Sequence, residues 1–169
     1  MKISRIPRDR NKVADSLSRY SDCDDWGISK KLFDHLDEIW GKHSIDRFAT
    51  DYNNKCIRFN SKFWCKGSEA VDALAQCWNN DNIWVVPPPS MICKVINKMC
   101  TDKASGTLIV PFWTSAPYWV LLFEKGNYKR FIKETYILPK ENSIVPGRGN
   151  NGIFTKSKKF CMIALKIRF

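Results

Sequence analysis

Histidine is nearly absent from this chain: His35 and His43 are the only two in 169 residues. The seven cysteines (23, 56, 65, 77, 93, 100 and 161) include no CxxC pair and gather no histidine around them. A structural zinc site needs four nitrogen or sulfur ligands at recognisable spacing, so no metal site is expected. An odd cysteine count and an N-terminus without an apolar leader fit reduced thiols in an intracellular protein, nuclear or cytoplasmic, rather than a secreted disulfide framework. No apolar run approaches the roughly 20 residues that span a membrane. A GxGxxG loop is missing as well, which removes the commonest fingerprint of dinucleotide binding.

Acidic residues are the other shortage. Lys and Arg number 28 against 17 Asp and Glu, for a formal net charge of +11. The excess is uneven. Residues 111–169 carry 11 basic and 3 acidic side chains, so the final third holds +8 of the total. A basic surface favours polyanions, and nucleic acid (DNA or an RNA–DNA intermediate) is the expected partner, against the plainer reading of a soluble Lys-rich face. What the chain has in quantity is large rings: 13% aromatic and 44% hydrophobic residues, enough for a folded core.

The apolar pattern sets the expected elements. Val13 and Leu17 suggest a short helix over Asn11–Arg19, and 21–25 reads as a linker. Ser29 opens a helix with Leu32, Phe33, Leu36 and Ile39–Trp40 on one face, ended by Gly41. Ile45–Ala49 reads as a strand and Asn53–Phe63 as loop. A second helix is expected from Gly67–Ser68, with Val71, Leu74, Ala75 and Trp78 inward. Ile83–Val86 is a buried-type strand stopped by three prolines, and Ser90 caps a helix bearing Ile92, Val95, Ile96 and Met99. Thr107–Val110 is a strand, Ala116–Phe123 a helix and Tyr128–Leu138 at least one strand. Asn142–Gly152 reads as a loop and Lys159–Phe169 as a terminal strand. Alternating helix and strand implies an α/β sandwich with a mostly parallel sheet, which binds ligands at the carboxyl ends of its strands.

Two stretches resemble known families. Arg10-Asn11-Lys12-Val13-Ala14-Asp15-Ser16-Leu17-Ser18-Arg19 resembles the last helix of retroelement RNase H domains, N-x-x-A-D-x-L-S-R. That resemblance makes Asp15 the counterpart of one acidic metal ligand. Two-metal hydrolysis needs several carboxylates around ions about 4 Å apart, so one remnant is expected to be inactive. The second resemblance runs through Trp26, Leu32-Phe33, Leu36, Trp40-Gly41, Ile45-Asp46-Arg47-Phe48-Ala49-Thr50, Asn53, Cys56, Asp72-Ala73-Leu74, Trp78 and Trp84-Val85-Val86-Pro87-Pro88-Pro89-Ser90. It is similar to the domain that follows RNase H in DIRS-like retroelement polyproteins, ahead of their tyrosine recombinase. That domain in turn looks like the phage Dam-type adenine methyltransferases. The expected organisation is an RNase H stub at 1–20, a linker at 21–25 and a methyltransferase-like (Rossmann-type) three-layer sandwich at 26–169. The neighbouring reverse transcriptase, RNase H and recombinase would be its partners in such a polyprotein.

The methyltransferase resemblance implies a chemistry and also its loss. These enzymes use an [Asn/Asp]-Pro-Pro-aromatic loop: the side chain and a nearby backbone carbonyl accept hydrogen bonds from the target amine, and the ring stacks on an extruded base. Here the loop is Val86-Pro87-Pro88-Pro89, with no acceptor at Val86 and no ring at Pro89. The resemblance places Asp46, Phe48 and Asp72 at the S-adenosylmethionine pocket, with strand-end and solvated-helix roles as the plainer readings of the two acids. The expectation is a catalytically dead domain, without cofactor, that binds nucleic acid. The alternatives are an active adenine methyltransferase using S-adenosylmethionine and a remnant of a decayed element. The nucleic-acid candidates are Lys125, Lys129, Arg130 and Lys133 at near-helical spacing, with Arg148, Lys156, Lys158 and Lys159 beyond them. Thr114–Trp119 adds rings that read either as a stacking platform or as core.

Overall fold

A computed structural model of the chain describes residues 26–147 and 161–169. The expected helix over Asn11–Arg19, and with it Asp15, lies outside those residues, as do Arg148, Lys156, Lys158 and Lys159.

The described elements run β1 (Trp26–Ile28), α1 (Lys30–Trp40), β2 (Ile45–Asp46), β3 (Arg58–Ser61), β4 (Ala70–Val71), β5 (Asn82–Val85), α2 (Ile92–Asp102), β6 (Ser105–Pro111), α3 (Trp119–Leu122), β7 (Phe123–Glu124), β8 (Asn127–Tyr128), β9 (Ile132–Ile137), β10 (Ile144–Pro146) and β11 (Met162–Ile167). Seven strands form one sheet in the order β4-β3-β2-β5-β6-β11-β9. The first five run parallel. β11 is antiparallel to both of its neighbours. The order reverses between β2 and β5, so the switch point at which open α/β sheets take ligands lies beside the ends of those two strands.

Period-2 alternation sorts the side chains into two cores. Ile83, Val85, Leu108, Val110, Ile163, Leu165 and Ile167 face α2. Trp84, Val86, Ile109, Met162 and Ala164 face α1. Each helix supplies one apolar stripe: Leu32, Phe33, Leu36 and Trp40 from α1, and Ile92, Val95, Ile96 and Met99 from α2. The result is the expected three-layer α/β arrangement with a mostly parallel sheet, compatible with a methyltransferase-like fold. Gly41, at φ 96°, ends α1 as expected, and Asn82 Nδ2 donates to the Gly41 and Lys42 carbonyls. Ser29 caps α1 through its backbone carbonyl, not its hydroxyl.

Several expectations are corrected. Ile39 is exposed, because the stripe continues through Asp37 and Trp40 instead. Asn53–Phe63 is not all loop, since it holds β3. The segment after Gly67 is not a helix: it forms β4 and then a 3-10 turn over Ala73–Ala75. Backbone pairing of Asn60–Ser61 with Ala70–Val71 captures it as an edge strand, and Trp78 reaches the core by donating its indole N–H to the Ala73 carbonyl at 2.8 Å. Ser90 does not cap α2; it sits inside a 3-10 turn, Pro89–Met91, that leads into the helix. The helix expected over Ala116–Phe123 shortens to α3. The 142–152 loop contains β10, which pairs with β1. No helix among the described residues is long and apolar enough to cross a membrane.

Candidate functional site

The site is built where β2 and β5 end. β2 stops at Asp46, whose carboxyl is buried, 3% exposed. One of its oxygens accepts the Phe48 N–H at 3.3 Å and the other the Lys55 N–H at 3.1 Å. Both therefore clamp the connection 47–55, which carries its own brace: Asn53 Oδ1 accepts from Thr50 N at 2.7 Å and from Thr50 Oγ1 at 2.9 Å. Burial pushes the Asp46 carboxyl up to about 6, against the pull of those two backbone donors and of the Lys55 ammonium. The plainer sequence reading of Asp46, a strand-end residue making local hydrogen bonds, describes these contacts.

On the other face of the same strand end, Arg47 is 3% exposed. It donates to Asn60 Oδ1 at 2.8 Å, to the Cys77 carbonyl at 3.0 Å and to Asp81 at 3.1 Å, and it packs over the Trp78 ring. Two buried donors, Arg47 Nε and Asn60 Nδ2, have no acceptor among the described residues. Phe48 turns toward Trp78, with ring centroids 6.4 Å apart. Asp72 lies two strands away, after β4. It is exposed, at φ 54°, and accepts the Leu74 N–H at 3.1 Å. Its expected setting, a helix face, is thus replaced by a left-handed cap, while its backbone N–H ties to the Ser61 carbonyl at the end of β3. All three residues assigned to a cofactor stand at one edge of the sheet, but their side chains point to different neighbours.

β5 runs into Val86-Pro87-Pro88-Pro89. Val86 is buried in one cluster with Trp84, Ile109, Met162 and Ala164, so the position that the resemblance makes the amine acceptor is a core position here. The Pro87 carbonyl accepts the Trp26 indole N–H at 3.2 Å in a buried bond. Sequence reasoning missed this use of Trp26, which joins residues 61 positions apart. Pro88 and Pro89 hold the turn: the Pro88 carbonyl accepts the Met91 N–H at 2.9 Å, and α2 follows. Substituting Val86 with Asn would place an amide in this apolar contact and is expected to cost about 1–3 kcal/mol, read as a lower urea midpoint.

The rings at 112–119 resolve toward packing. Tyr118 and Trp119 are buried, the Tyr118 hydroxyl donates to the Pro111 carbonyl at 2.7 Å, and Trp119 meets Phe112, Phe123 and Tyr128 edge-on or stacked. The basic candidates are not on a helix. Lys125, at φ 50°, and Gly126 form the turn of the β7–β8 hairpin, and Lys133 lies on the outer strand β9. Their near-helical spacing is overridden because the sheet captures Ile132–Ile137. Register then separates them from the site. Ile132 pairs with Ile167, which pairs with Gly106 at the start of β6, so Arg130 and Lys133 flank the sheet edge opposite the Pro87 turn. Among the described residues no three His, Cys, Asp or Glu side chains gather as metal ligands.

Compared with known families, the chain matches the model of the DNA N-6-adenine-methyltransferase (Dam) family over residues 15–152, most of its length. The match begins at Asp15, inside the segment 1–20 that was expected to be a separate stub and ahead of the boundary expected at Trp26. A search of curated proteins found no match. With the order of the sheet, its switch point between β2 and β5 and the proline turn in place, the chain belongs to the DNA N-6-adenine-methyltransferase (Dam) family.

Proposed function

We propose that this member of the Dam family does not transfer methyl groups and serves as a nucleic-acid-binding module of a DIRS-like retroelement polyprotein. The observation that carries the first part is the state of the proline turn. A target amine needs two acceptors and its base needs a ring. Val86 offers a buried isopropyl group in place of a side-chain acceptor, the Trp26 indole takes one of the two lone pairs of the Pro87 carbonyl, and Pro89 has no π face. Polar readout of an amine is lost when its acceptors are missing, because the desolvated N–H groups go unpaired.

The residues assigned to S-adenosylmethionine do not fit it in their observed arrangement. Asp46 is sealed and engaged on both oxygens by backbone N–H groups, Phe48 faces Trp78, and Asp72 stands out in solvent two strands away. Nucleic-acid binding rests on the net charge of +11, and the retroelement setting on the ordered resemblance running from Trp26 to Ser90.

Calorimetric titration with S-adenosylmethionine, then with a short duplex at two salt concentrations, tests this reading. No heat with the cofactor and salt-sensitive affinity for the duplex are expected. Micromolar cofactor binding, worth roughly 8 kcal/mol, would instead favour an active adenine methyltransferase. Silence in both titrations would favour a decayed remnant.

A further inference from the structure

The connection from β3 to β4 leaves a tryptophan in water. Trp64 is 79% exposed and Phe63 beside it 48%. The short connection is fastened at its neck. Ser61 Oγ lies 2.6 Å from the Phe63 carbonyl and 2.7 Å from Ser68 Oγ. The Ser68 hydroxyl donates to the Ala70 carbonyl at 2.9 Å, and its N–H to the Cys65 carbonyl at 3.1 Å. Gly67, at φ 86°, turns the chain back against the Phe59 ring. With its ends held this way, the loop displays its rings from a defined base.

Its charge is one-sided. Lys62 and Lys66 flank the rings and both are exposed, and no acid occurs between Lys62 and Ser68. The next acid, Glu69, is held by Arg58 through two bonds of 2.6 and 2.9 Å. The Lys62 ammonium sits 5.6 Å from the Phe63 centroid. β3 and β4 run parallel to β2 and β5, so the loop leaves the same sheet edge as the Pro87 turn. Exposed apolar clusters rimmed by charge mark interaction sites. Rings interleaved with cations suit a single strand, whose bases offer open π faces beside phosphates; a duplex keeps those faces stacked.

We infer that the loop Lys62-Phe63-Trp64-Cys65-Lys66 is a contact for unpaired nucleic acid, with Trp64 stacking on a base and the two lysines on flanking phosphates. The inference rests on the nucleic-acid reading proposed above and assigns it to the switch-point edge rather than to Arg130 and Lys133.

The test is fluorescence anisotropy of the full chain with labelled oligothymidylate of about 12 nucleotides, within the site sizes of single-strand binders, and with a mixed-sequence duplex. Trp64→Ala should weaken single-strand binding about tenfold or more while duplex binding changes little, and Trp64→Phe should restore most of the loss. Lys62→Ala with Lys66→Ala should flatten the salt dependence by about 1.4 in log K per log salt. An unaltered single-strand affinity in Trp64→Ala would overturn the inference and leave the nucleic-acid reading standing. No binding of either probe by the unmodified chain would remove that reading, and this inference with it. A change in sedimentation alone, with DNA affinity intact, would assign the loop to a protein partner instead.

Discussion

Gly106→Ala is expected to yield no folded protein. A Cβ built at this position would stand 2.1 Å from the Ile83 carbonyl oxygen and 2.7 Å from the Ile83 nitrogen. Those atoms are backbone of the adjacent strand, not the far end of a flexible side chain. Ile83 pairs with Gly106 across β5 and β6 and with Ile45 across β5 and β2, so it is held from both sides in the middle of the sheet. The backbone at Gly106 also sits at φ 154°, a region side-chain-bearing residues rarely adopt. Relief requires separating two central strands. The cost should exceed about 4 kcal/mol, a large share of the 5–15 kcal/mol that holds a domain together. The soluble fraction on expression, and a thermal melt by circular dichroism of whatever is recovered, will measure it. Gly126→Ala is the control. Its φ is 83°, but nothing lies within 4 Å of the added carbon, so only the local backbone preference, about 1 kcal/mol, is at stake. Equal melts for the two variants would mean that β5 and β6 do not meet in this register.

The same strands show what a sequence reveals. β5, β6 and β11 alternate between two cores, and α1 and α2 carry apolar stripes at helical spacing, so a three-layer α/β fold is legible from hydrophobic pattern alone. β3 and β4 were not legible. Their edge of the sheet is lined with polar groups satisfied by partners far along the chain: Asn60 is fully buried because Arg47 donates to it, and Ser61 because it fastens the next loop. Ile57, an apolar marker of that stretch, is 97% exposed. Periodicity measures burial of apolar atoms and has no signal for buried polar ones. The site follows the same division. The proline turn and its missing acceptor are readable because they are local. That Trp26 occupies the Pro87 carbonyl and that Arg130 and Lys133 flank the far edge both depend on contacts set by topology.

Asp37→Ala should cost about 3–4 kcal/mol, through a network at the edge opposite the switch point. Asp37 is buried at the end of α1 and accepts the His43 backbone N–H at 2.7 Å, the His43 ring at 3.0 Å and Lys42 Nζ at 2.6 Å. A carboxylate can only accept, so the ring proton sits on Nδ1, and Nε2 accepts from the Thr107 hydroxyl at 2.8 Å. This chain of bonds ties α1 to the middle of the sheet. Removing Asp37 strands two buried donors at about 1–3 kcal/mol each. The Lys42 bond adds little, since that ammonium is exposed. A fall of about 1–2 M in urea midpoint is expected, and one of a few tenths would refute a structural role for the network.

Acid should act on the same bonds. Burial holds the His43 ring below its ordinary 6.5, so the native state keeps it neutral while the unfolded chain takes up a proton as pH falls below that value. For Asp37, burial alone would raise the carboxyl, but bonds from Lys42 and from the His43 backbone and ring outweigh it and leave the group below 3.8. Its contribution is present above 3.8 and lost as pH falls through the lower native value. Both therefore weaken the fold on acidification, His43 first. Asp46 works the other way. Its native carboxyl, at about 6, binds a proton before the unfolded one does, which favours the native state between about 6 and 3.8. Asp46→Asn removes that compensation, so its stability should begin to fall at higher pH than that of the unmodified chain. Urea midpoints of both proteins from pH 7 to 4 will show it, and parallel profiles would mean that Asp46 is already protonated, or never titrates, in the folded state.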